Sequence, residues 1–467
     1  MDNFKKIGFG EKMKVCKFGG TSVATADQIK KVADIVLSDP TRKIVVVSAP
    51  GKRSDEDTKV TDLLIRLAEA ALDGKDATAQ LGEVVERYRQ IAEGLELSND
   101  IVQIIERDLK ERLEGDKNDS TLFTDTLKAA GEDNNAKLIA EYFSSISIEA
   151  QYISPKEAGL LVNQRPARVQ ALPEGDAQLA KLRELPGIIV FPGFFGFTED
   201  GTLRTFNRGG SDITGSLLAA ATDAELYENF TDVDSVFAAN PRIVDEPAAI
   251  SKMTYREMRE LAYAGFSVFH DEALIPAFRR SIPVCIKNTN NPSAPGTLIV
   301  KERDHSSQPV IGIAADHGFS TLFVDKFLMN LEIGFGRRLL QILEEEEIPY
   351  EHTPSGIDNL SVIIRSRFLT PGKEQRILER VKEELKPDKV FFNHDYSMIV
   401  LVGEGMRDTT GLAARAAGAI ARTGTSIQMI NQGSSEVSLV FGVLKEDETI
   451  ILKELYKEFF SNIKVCS

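Results

Sequence analysis

Short, mainly apolar runs alternate with stretches of helical periodicity along residues 13–300. The runs at 13–16 and 44–47 are each followed by a segment in which apolar residues recur every three or four positions. Further runs lie at 147–153, 187–191, 225–230, 282–286 and 297–300. Because parallel strands need crossover helices that cover the faces of their sheet, this alternation predicts an α/β domain with an open, mostly parallel sheet.

The pattern changes after the polar segment 303–309. Two similar units of about 70 residues follow, and each reads strand, helix, strand, strand, helix, which is roughly the order of a split βαβ unit. Neither unit carries a candidate nucleophile or a cluster of metal ligands, which favours regulation or assembly over catalysis. The predicted domains are therefore 1–303, 310–390 and 391–467.

Composition narrows the class of protein. The chain has 467 residues, 42% hydrophobic and 27% charged, which is ordinary for a globular protein of two or three domains. A formal net charge of −15 argues against nonspecific nucleic-acid binding and requires local cations wherever an anionic substrate binds. Three widely spaced cysteines fit reduced thiols, and the sequence has neither a signal-peptide pattern nor a membrane-spanning apolar run. We expect a cytoplasmic enzyme that binds neither nucleic acid nor membrane.

Several common motifs are missing from the sequence. Each Gly-Lys pair lacks the following Ser or Thr of a Walker A loop, no GxGxxG follows a strand pattern, and HExxH does not occur. The histidines are scattered, at 270, 305, 317, 352 and 394. The sequence therefore predicts no P-loop, no Rossmann nucleotide site and no protein-bound metal centre.

Two glycine pairs are the candidates for binding an anion. In segments 17–22 and 208–212, a Gly-Gly turn lies between a cation and a hydroxyl side chain and precedes a helical pattern. Glycine lets the backbone approach a phosphate, and a helix N-terminus offers unpaired N–H donors. A plain strand-to-helix joint would explain either segment taken alone. Together they suit a molecule with several anionic groups, and Arg208 can bind a carboxylate through two hydrogen bonds.

Three acidic positions have both a functional and a structural interpretation. Asp212 can orient Lys17 or hold a metal, or it can be the N-cap of a helix that starts at 213. Glu132 can receive an ammonium group in a pocket, or it can be an ordinary acid in the first turn of a helix. Asp232, with Thr231, follows a strand where α/β sheets bind ligands, although a turn or cap would use the same residues.

These motifs, in this order, resemble the aspartate kinases of the amino-acid-kinase superfamily. The resemblance rests on KFGGTS at 17–22, NRGGSD at 207–212, FTDV at 230–233 and NPR at 240–242, and it extends over essentially the whole chain. It implies a three-layer α/β/α kinase domain with a mostly parallel central sheet, followed by two ferredoxin-like βαββαβ ACT modules. The form that the chain resembles is the bacterial monofunctional, lysine-sensitive type. No dehydrogenase pattern follows, so we do not expect the fused enzyme.

The resemblance implies a role for each matching residue. Lys17 would stabilise the transferring phosphoryl group, with Asp212 organising it, while Arg208 would bind the α-carboxylate of the amino acid and Glu132 its ammonium group. The rest of the amino-acid pocket would comprise Ser48, Thr61, Gly209 and Gly210. The nucleotide side would comprise Gly19, Gly20, Thr21, Ser22, Ser211, Thr231, Asp232, Phe237 and Arg242.

One segment departs from the family pattern. Many members carry a lysine that contacts nucleotide phosphate after the helix at 254–263, whereas this chain has Ser267 there. Either Lys287 or Arg242 supplies the missing charge, or Mg²⁺ and backbone donors hold the ATP phosphates.

The implied reaction uses ATP and Mg²⁺ to phosphorylate the side chain of L-aspartate, giving 4-phospho-L-aspartate and ADP. This is the first step towards lysine, threonine and methionine. A side-chain carboxylate with a pKa of about 3.9 is already ionised at neutral pH, so the reaction needs no general base. The sequence, which is rich in cations and backbone donors near the predicted phosphate site, agrees with that chemistry.

The ACT modules imply regulation. Modules from two chains would pair in a homodimer or higher homo-oligomer and bind an amino-acid effector, with lysine favoured over threonine. The candidate effector contacts are Met329, Gly334, Glu351, Ser355 and Asp358. The two acidic residues suit the ammonium groups of lysine, or they are solvated hairpin charges. In the family the first module is often inserted within the second, so 310–316 is a candidate strand of the second module.

Two other functions remain open at this point. A kinase acting on glutamate or acetylglutamate would share the first glycine segment but lack both the Thr-Asp-Val at 231–233 and the ACT pair. A non-catalytic amino-acid sensor would explain residues 310–467 and leave the glycine segments unexplained.

Overall fold

The computed structural model describes residues 12–165, 169–207, 209–266, 268–269, 271–433 and 437–461. The chain forms two compact units. The first comprises Met1–Val236, Ala249–Arg259 and Ser267–Arg303, and the second comprises Phe237–Ala248, Glu260–Phe266 and Asp304–Ser467. Two short segments that precede residue 303 thus belong to the second unit, and the predicted domain ranges stay predictions.

The first unit is built on an eight-stranded sheet. Its strands, in spatial order, are β3 (Ala150–Tyr152), β4 (Ile188–Pro192), β2 (Arg42–Val47), β1 (Lys14–Phe18), β7 (Leu226–Thr231), β9 (Val284–Asn288), β10 (Thr297–Val300) and β8 (Lys252–Thr254). All neighbouring strands run parallel except β9 and β10. A separate hairpin pairs β5 (Phe195–Phe197) with β6 (Leu203–Thr205). The mostly parallel central sheet predicted from the sequence is confirmed.

Helices connect these strands and cover the sheet. They are α1 (Ala26–Leu37), α2 (Val60–Leu72), α3 (Thr78–Gly94), α4 (Asn99–Leu113), α5 (Ser120–Ser145), α6 (Pro155–Ala158), α7 (Asp176–Leu179), α8 (Gly210–Ala221), α9 (Tyr255–Tyr263) and α10 (Leu274–Arg280). Apolar residues of α1–α5 form one core with Cys16 and Phe18 of β1. Because successive side chains of a strand point to opposite faces, Lys17 points towards α8 on the other face.

The second unit contains a six-stranded sheet in the order β12-β13-β11-β14-β16-β15. The strands are β11 (Gly312–Asp325), β12 (Tyr350–His352), β13 (Asn359–Arg365), β14 (Lys389–Val402), β15 (Met429–Gln432) and β16 (Ser438–Leu444). The helices are α11 (Phe335–Glu345), α12 (Pro371–Leu385), α13 (Leu412–Arg422) and α14 (Glu448–Phe460).

The long strands β11 and β14 run through both halves of this sheet. Residues 319–325 of β11 pair with 389–396 of β14, and residues 312–317 pair with 397–402. Each half therefore has four strands with a ferredoxin-like order, β12-β13-β11-β14 and β11-β14-β16-β15. The sequence offered 310–316 only as a candidate strand of the second module. The polar residues Asp316 and His317 interrupt the apolar alternation, so the continuous strand β11 was not predicted.

Cys16 and Cys285 are buried and unpaired, and Cys466 lies outside the described residues. Within the described part of the chain, no helix is both long and apolar enough to cross a membrane.

Candidate active site

A cleft of about 530 Å³ lies in the first unit. It is lined by Lys17, Ser48, Thr121, Asp125, Lys128, Glu132, Phe194, Thr205, Phe206, Asn207, Gly209, Gly210, Ser211 and Asp212. A cavity of this size suits a small-molecule ligand. The fold thus brings together predicted residues from β1, from the end of β2, from α5 and from the start of α8.

The ion pair between Lys17 and Asp212 forms one wall of the cleft. Nζ of Lys17 lies 2.6 Å from Oδ1 of Asp212, and both side chains are largely buried. Asn229 of β7 is the register partner of Lys17 and donates from Nδ2 to the same carboxylate oxygen at 2.9 Å. Two neighbouring strands therefore hold Asp212 from one face, and Asp212 fixes the position of the lysine ammonium group.

The second glycine pair lies at the N-terminus of α8. Gly209 is the N-cap, with a φ of 74° that favours glycine, and Gly210 is the first helical residue. Asp212 is therefore inside the first turn, so the interpretation of Asp212 as an N-cap is wrong. Its contact with Lys17 agrees with an orienting role. Among the described residues there is no group of three or more His, Cys, Asp or Glu that could hold a metal ion.

The first glycine pair has a different geometry. Gly20–Val23 form a 3₁₀ turn, and the predicted helix follows as α1 from Ala26, so this glycine pair precedes the helix without forming its first turn. The N–H of Gly51 donates to the carbonyl of Gly20 at 2.8 Å. A Cβ on Gly51 would lie only 2.5 Å from the carbonyl carbon of Gly20, so this close approach of two backbones requires glycine.

Part of the predicted nucleotide side lies at the carboxyl edge of the sheet. The N–H of Gly19 donates to the carbonyl of Phe230 at 3.1 Å, and the hydroxyls of Ser22 and Thr289 are 2.7 Å apart. The carbonyl of Thr231 accepts from the N–H of Thr289. The ends of β1, β7 and β9 therefore meet here, at the edge where open α/β sheets bind ligands.

The remaining predicted site residues lie elsewhere. Thr61 is the second residue of α2 and does not line the cleft. Phe237 and Arg242 belong to the second compact unit. Arg208 and Ser267 lie outside the described residues. Their roles stay predictions, as does the role of the exposed Asp232.

Glu132 lies in the middle of α5, so the interpretation of this residue as an ordinary acid in the first turn of a helix is wrong. The residue is 6% exposed, and its Oε2 has no hydrogen-bond partner in the described structure. Burial raises the pKa of Glu132 to about 8, while backbone N–H groups and the charges of Lys128 and Lys17 oppose the rise. A buried carboxylate oxygen without a donor is costly unless a ligand supplies one.

Sequence reasoning missed one face of α5. Thr121, Asp125 and Lys128 line the cleft together with Glu132, and their spacing of four, three and four residues places them on one helical face. The spacing was visible in the sequence. The sequence pattern predicted the start of a helix near Glu132, so the residues before it were not assigned to the same helix. In the structure, α5 continues through Gly131 without interruption.

The predicted effector residues lie at separate places in the second unit. Asp358 accepts a hydrogen bond from the N–H of Leu328 at 2.8 Å, which places it beside the buried Met329. Glu351 accepts from Nε of Arg365 at 3.0 Å. Gly334 caps α11 with a φ of 79°, and Ser355 lines a second cavity of about 540 Å³. The effector assignment stays a prediction.

Comparison with known proteins agrees with this architecture. The chain matches the amino acid kinase family over residues 12–288 and the ACT domain over residues 399–459. It is 54% identical to aspartokinase 3 of Bacillus subtilis over 453 residues, which cover 97% of this chain and 100% of that protein.

Solved structures agree as well. Aspartate kinase of Clostridium acetobutylicum superposes with a TM-score of 0.85 at 35% identity, covering 96% of this chain and 100% of that one. Two structures of aspartokinase III from E. coli, each 26% identical with the same coverage, have TM-scores of 0.79 in the complex with aspartate and ADP and 0.76 in the complex with lysine and aspartate. The chain therefore belongs to the aspartokinases of the amino acid kinase family.

Proposed function

We propose that the cleft transfers the terminal phosphoryl group of ATP to the side-chain carboxylate of L-aspartate. The observation that carries this assignment is the combination of the Lys17–Asp212 pair with the unpartnered Oε2 of Glu132 in one cleft. The lysine suits a transferring phosphoryl group, and the carboxylate suits the ammonium group of an amino acid.

Lys17 and Asp212 are the catalytic residues of this proposal. Phosphoryl transfer depends mainly on positioning and on stabilising the charge that spreads over the phosphoryl oxygens. The ammonium group of Lys17 provides that charge from a fixed position, because Asp212 holds it at 2.6 Å. No residue needs to remove a proton from the acceptor, since the aspartate side chain enters as a carboxylate.

The amino-acid side of the cleft contains Glu132, Ser48, Gly209 and Gly210, all of which line it. Glu132 accepts the substrate ammonium group, which gives its unpartnered oxygen a donor. Arg208 binds the α-carboxylate, and Thr61 completes the pocket, as the family motif predicts. The Nδ2 group of Asn135 donates to the carbonyl of Ser48 at 2.7 Å and fixes that turn.

The nucleotide lies at the carboxyl edge of the sheet in this proposal. The turn of Gly19, Gly20, Thr21 and Ser22 faces the phosphates, and Ser211, Thr231 and Asp232 belong to the same side. Phe237 and Arg242 are included because the family motif contains them. Mg²⁺ usually keeps several waters and binds through phosphates and one or two carboxylates. One carboxylate of the cleft, Asp212, fits that donor set, and the ion, when bound, neutralises phosphate charge.

The test of this function is a coupled assay with ATP and a panel of amino acids, with hydroxylamine trapping the acyl phosphate. We expect a hydroxamate and ADP with L-aspartate, and none with glutamate or acetylglutamate. Turnover with glutamate or acetylglutamate in place of aspartate would favour another amino-acid kinase. Absence of ADP and hydroxamate with every amino acid, together with binding of an amino acid, would favour a sensor.

The second unit regulates this activity in our proposal, as a homodimer or higher homo-oligomer that binds lysine. The complex of the E. coli relative with lysine supports this choice. Large apolar side chains near the predicted effector residues are exposed and suit a second copy of the chain, among them Phe327, Leu331, Ile333 and Ile357. Lysine should lower activity and raise Tm, with threonine as the comparison. If lysine changed neither, it would not be the effector.

A further inference from the structure

We propose that Lys128 is a further specificity-determining residue, which binds the α-carboxylate of the aspartate substrate while Asp125 positions it. This inference rests on the proposed function. The family motif assigns Arg208 to the α-carboxylate of the substrate, and the proposal adds Lys128, a described residue, to the same group.

The surroundings of Lys128 leave it able to bind a ligand. Its Nζ lies 2.7 Å from Oδ1 of Asp125 and 3.4 Å from the hydroxyl of Thr205. The same Nζ is 5.8 Å from the ring centroid of Phe194. An ammonium group has three donors, so these two acceptors leave one N–H for a molecule in the cleft.

Asp125 is itself fixed in place. Its Oδ1 accepts from the hydroxyl of Thr205 at 2.8 Å, and its side chain is 10% exposed. The same helix, α5, and the neighbouring hairpin thus hold the lysine through a carboxylate, as Asp212 holds Lys17. The cleft therefore contains two lysine–aspartate pairs, and each lysine side chain is mostly buried and faces the cleft.

The position of Glu132 distinguishes the two lysines. Lys128 is one helical turn before Glu132 on the same face of α5, and its charge opposes the raised pKa of Glu132 more strongly than that of Lys17 does. In L-aspartate the ammonium group and the α-carboxylate are attached to the same carbon. A cation beside the acceptor of the ammonium group is therefore placed for the α-carboxylate, and Lys17 remains for the phosphoryl group.

The experiment compares L-aspartate with its α-amide, which keeps the ammonium group and the reacting side-chain carboxylate but loses the α-carboxylate charge. We expect Lys128→Met to raise KM for aspartate by about 10- to 100-fold, with a smaller change in kcat, as for loss of one charged hydrogen bond. The wild type should prefer aspartate strongly over the α-amide. In the variant this preference should shrink by about the same factor as kcat/KM for aspartate falls.

Lys137→Met is the matched control. Lys137 lies on the same helix, is 23% exposed against 22% for Lys128, and pairs with Asp133 at 3.0 Å, but it does not line the cleft. It should lower stability without changing the preference for aspartate. The double variant Lys128→Met/Asp125→Leu removes the pair without leaving an unpaired carboxylate, so it tests the same point if the single variant does not fold.

Equal losses of kcat/KM for aspartate and for the α-amide, in whichever of these variants folds, would overturn the role of Lys128 and leave a purely structural ion pair. A wild-type enzyme that turns over neither substrate would instead contradict the proposed function itself.

Discussion

Two buried ion pairs lie on opposite faces of β1 and its neighbours. On one face, Arg42 donates to both carboxylate oxygens of Glu228, at 2.6 and 3.0 Å. On the other face, Lys17 contacts Asp212 at 2.6 Å. Each of the four side chains is at most 13% exposed. Burial and pairing alone therefore do not tell which pair takes part in chemistry.

The difference lies in what surrounds each pair. Arg42 also donates to the carbonyl of Ile35 and the hydroxyl of Ser38, and its guanidinium lies over the ring of Phe230. Within the part of the chain that the structure describes, Lys17 makes a single ion pair, and it lies beside a cleft. Each guanidinium nitrogen of Arg42 donates to an acceptor, and the pair with the glutamate stabilises the packing of two strands and a helix. We call such a pair saturated. An ion pair whose cation has donors left over, and which lies beside a cavity, can still bind a ligand.

The largest effect is expected on the saturated pair. Arg42→Ala leaves Glu228 buried without its cation, so the free energy of unfolding should fall by about 3–5 kcal/mol, measured by urea denaturation. The double variant Arg42→Leu/Glu228→Leu removes both charges and should recover most of that loss. If the double variant were as unstable as the single one, the uncompensated charge would not be the cause.

Removal of the lysine in the cleft should change activity and should cost less stability than removal of Arg42, because Asp212 lines the cleft and water can reach its charge there. Lys17→Ala should lower kcat by an amount equivalent to about 2.7–4 kcal/mol, as for loss of one transition-state donor. The fold tolerates the change because Asp212 keeps its hydrogen bond from Asn229. Steady-state kinetics and urea denaturation of the same preparation test both parts. Near-normal turnover would remove Lys17 from the mechanism, and a stability loss as large as that of Arg42→Ala would make the two pairs equivalent.

A substitution in the turn formed by Gly20 and Gly51, beside Lys17, should have a smaller effect. In Gly51→Ala the new Cβ would clash with the backbone at Gly20, which should cost about 1–3 kcal/mol of unfolding free energy and raise KM for ATP by displacing the turn. Gly82→Ala is the control, because a Cβ there meets nothing within 4 Å and α3 gains a better helix former. Equal kinetics in the two variants would show that the turn does not contact the nucleotide.

The parts that the sequence predicted are those whose signal is local. The parallel sheet follows from short apolar runs between helical patterns, and the glycine segments follow from residues that are adjacent in the chain. Arg42 and Glu228 gave no such signal, because their pairing depends on β1 lying between β2 and β7. Asp125 and Lys128 were visible only as members of a helix whose length was misjudged. The passage of β11 and β14 through two half-sheets likewise depends on pairings between distant residues.

The smallest effect, expressed per pH unit, is the change in the free energy of unfolding that comes from the titration of Glu132. Its pKa of about 8 in the folded protein lies above the ordinary value of 4.5, so the folded chain holds a proton that the unfolded chain releases. The resulting stabilisation is fully present below pH 4.5 and is lost as the pH rises through about 8, with a slope of at most ~1.4 kcal/mol per pH unit. Glu132→Gln should flatten this dependence in urea denaturation between pH 5 and 8.

Aspartate binding should depend on the same proton, but it should become tighter as the pH rises, whereas the folded state becomes less stable. The substrate ammonium group needs the ionised form of Glu132, so Kd for aspartate should fall by up to about tenfold per pH unit as the pH rises towards 8. Binding at pH 7 should release close to one proton, which calorimetry detects as an enthalpy that changes with the ionisation enthalpy of the buffer. Glu132→Gln should bind aspartate weakly and without this proton release. An unchanged release in that variant would assign the proton to another group and leave the buried oxygen of Glu132 without a ligand.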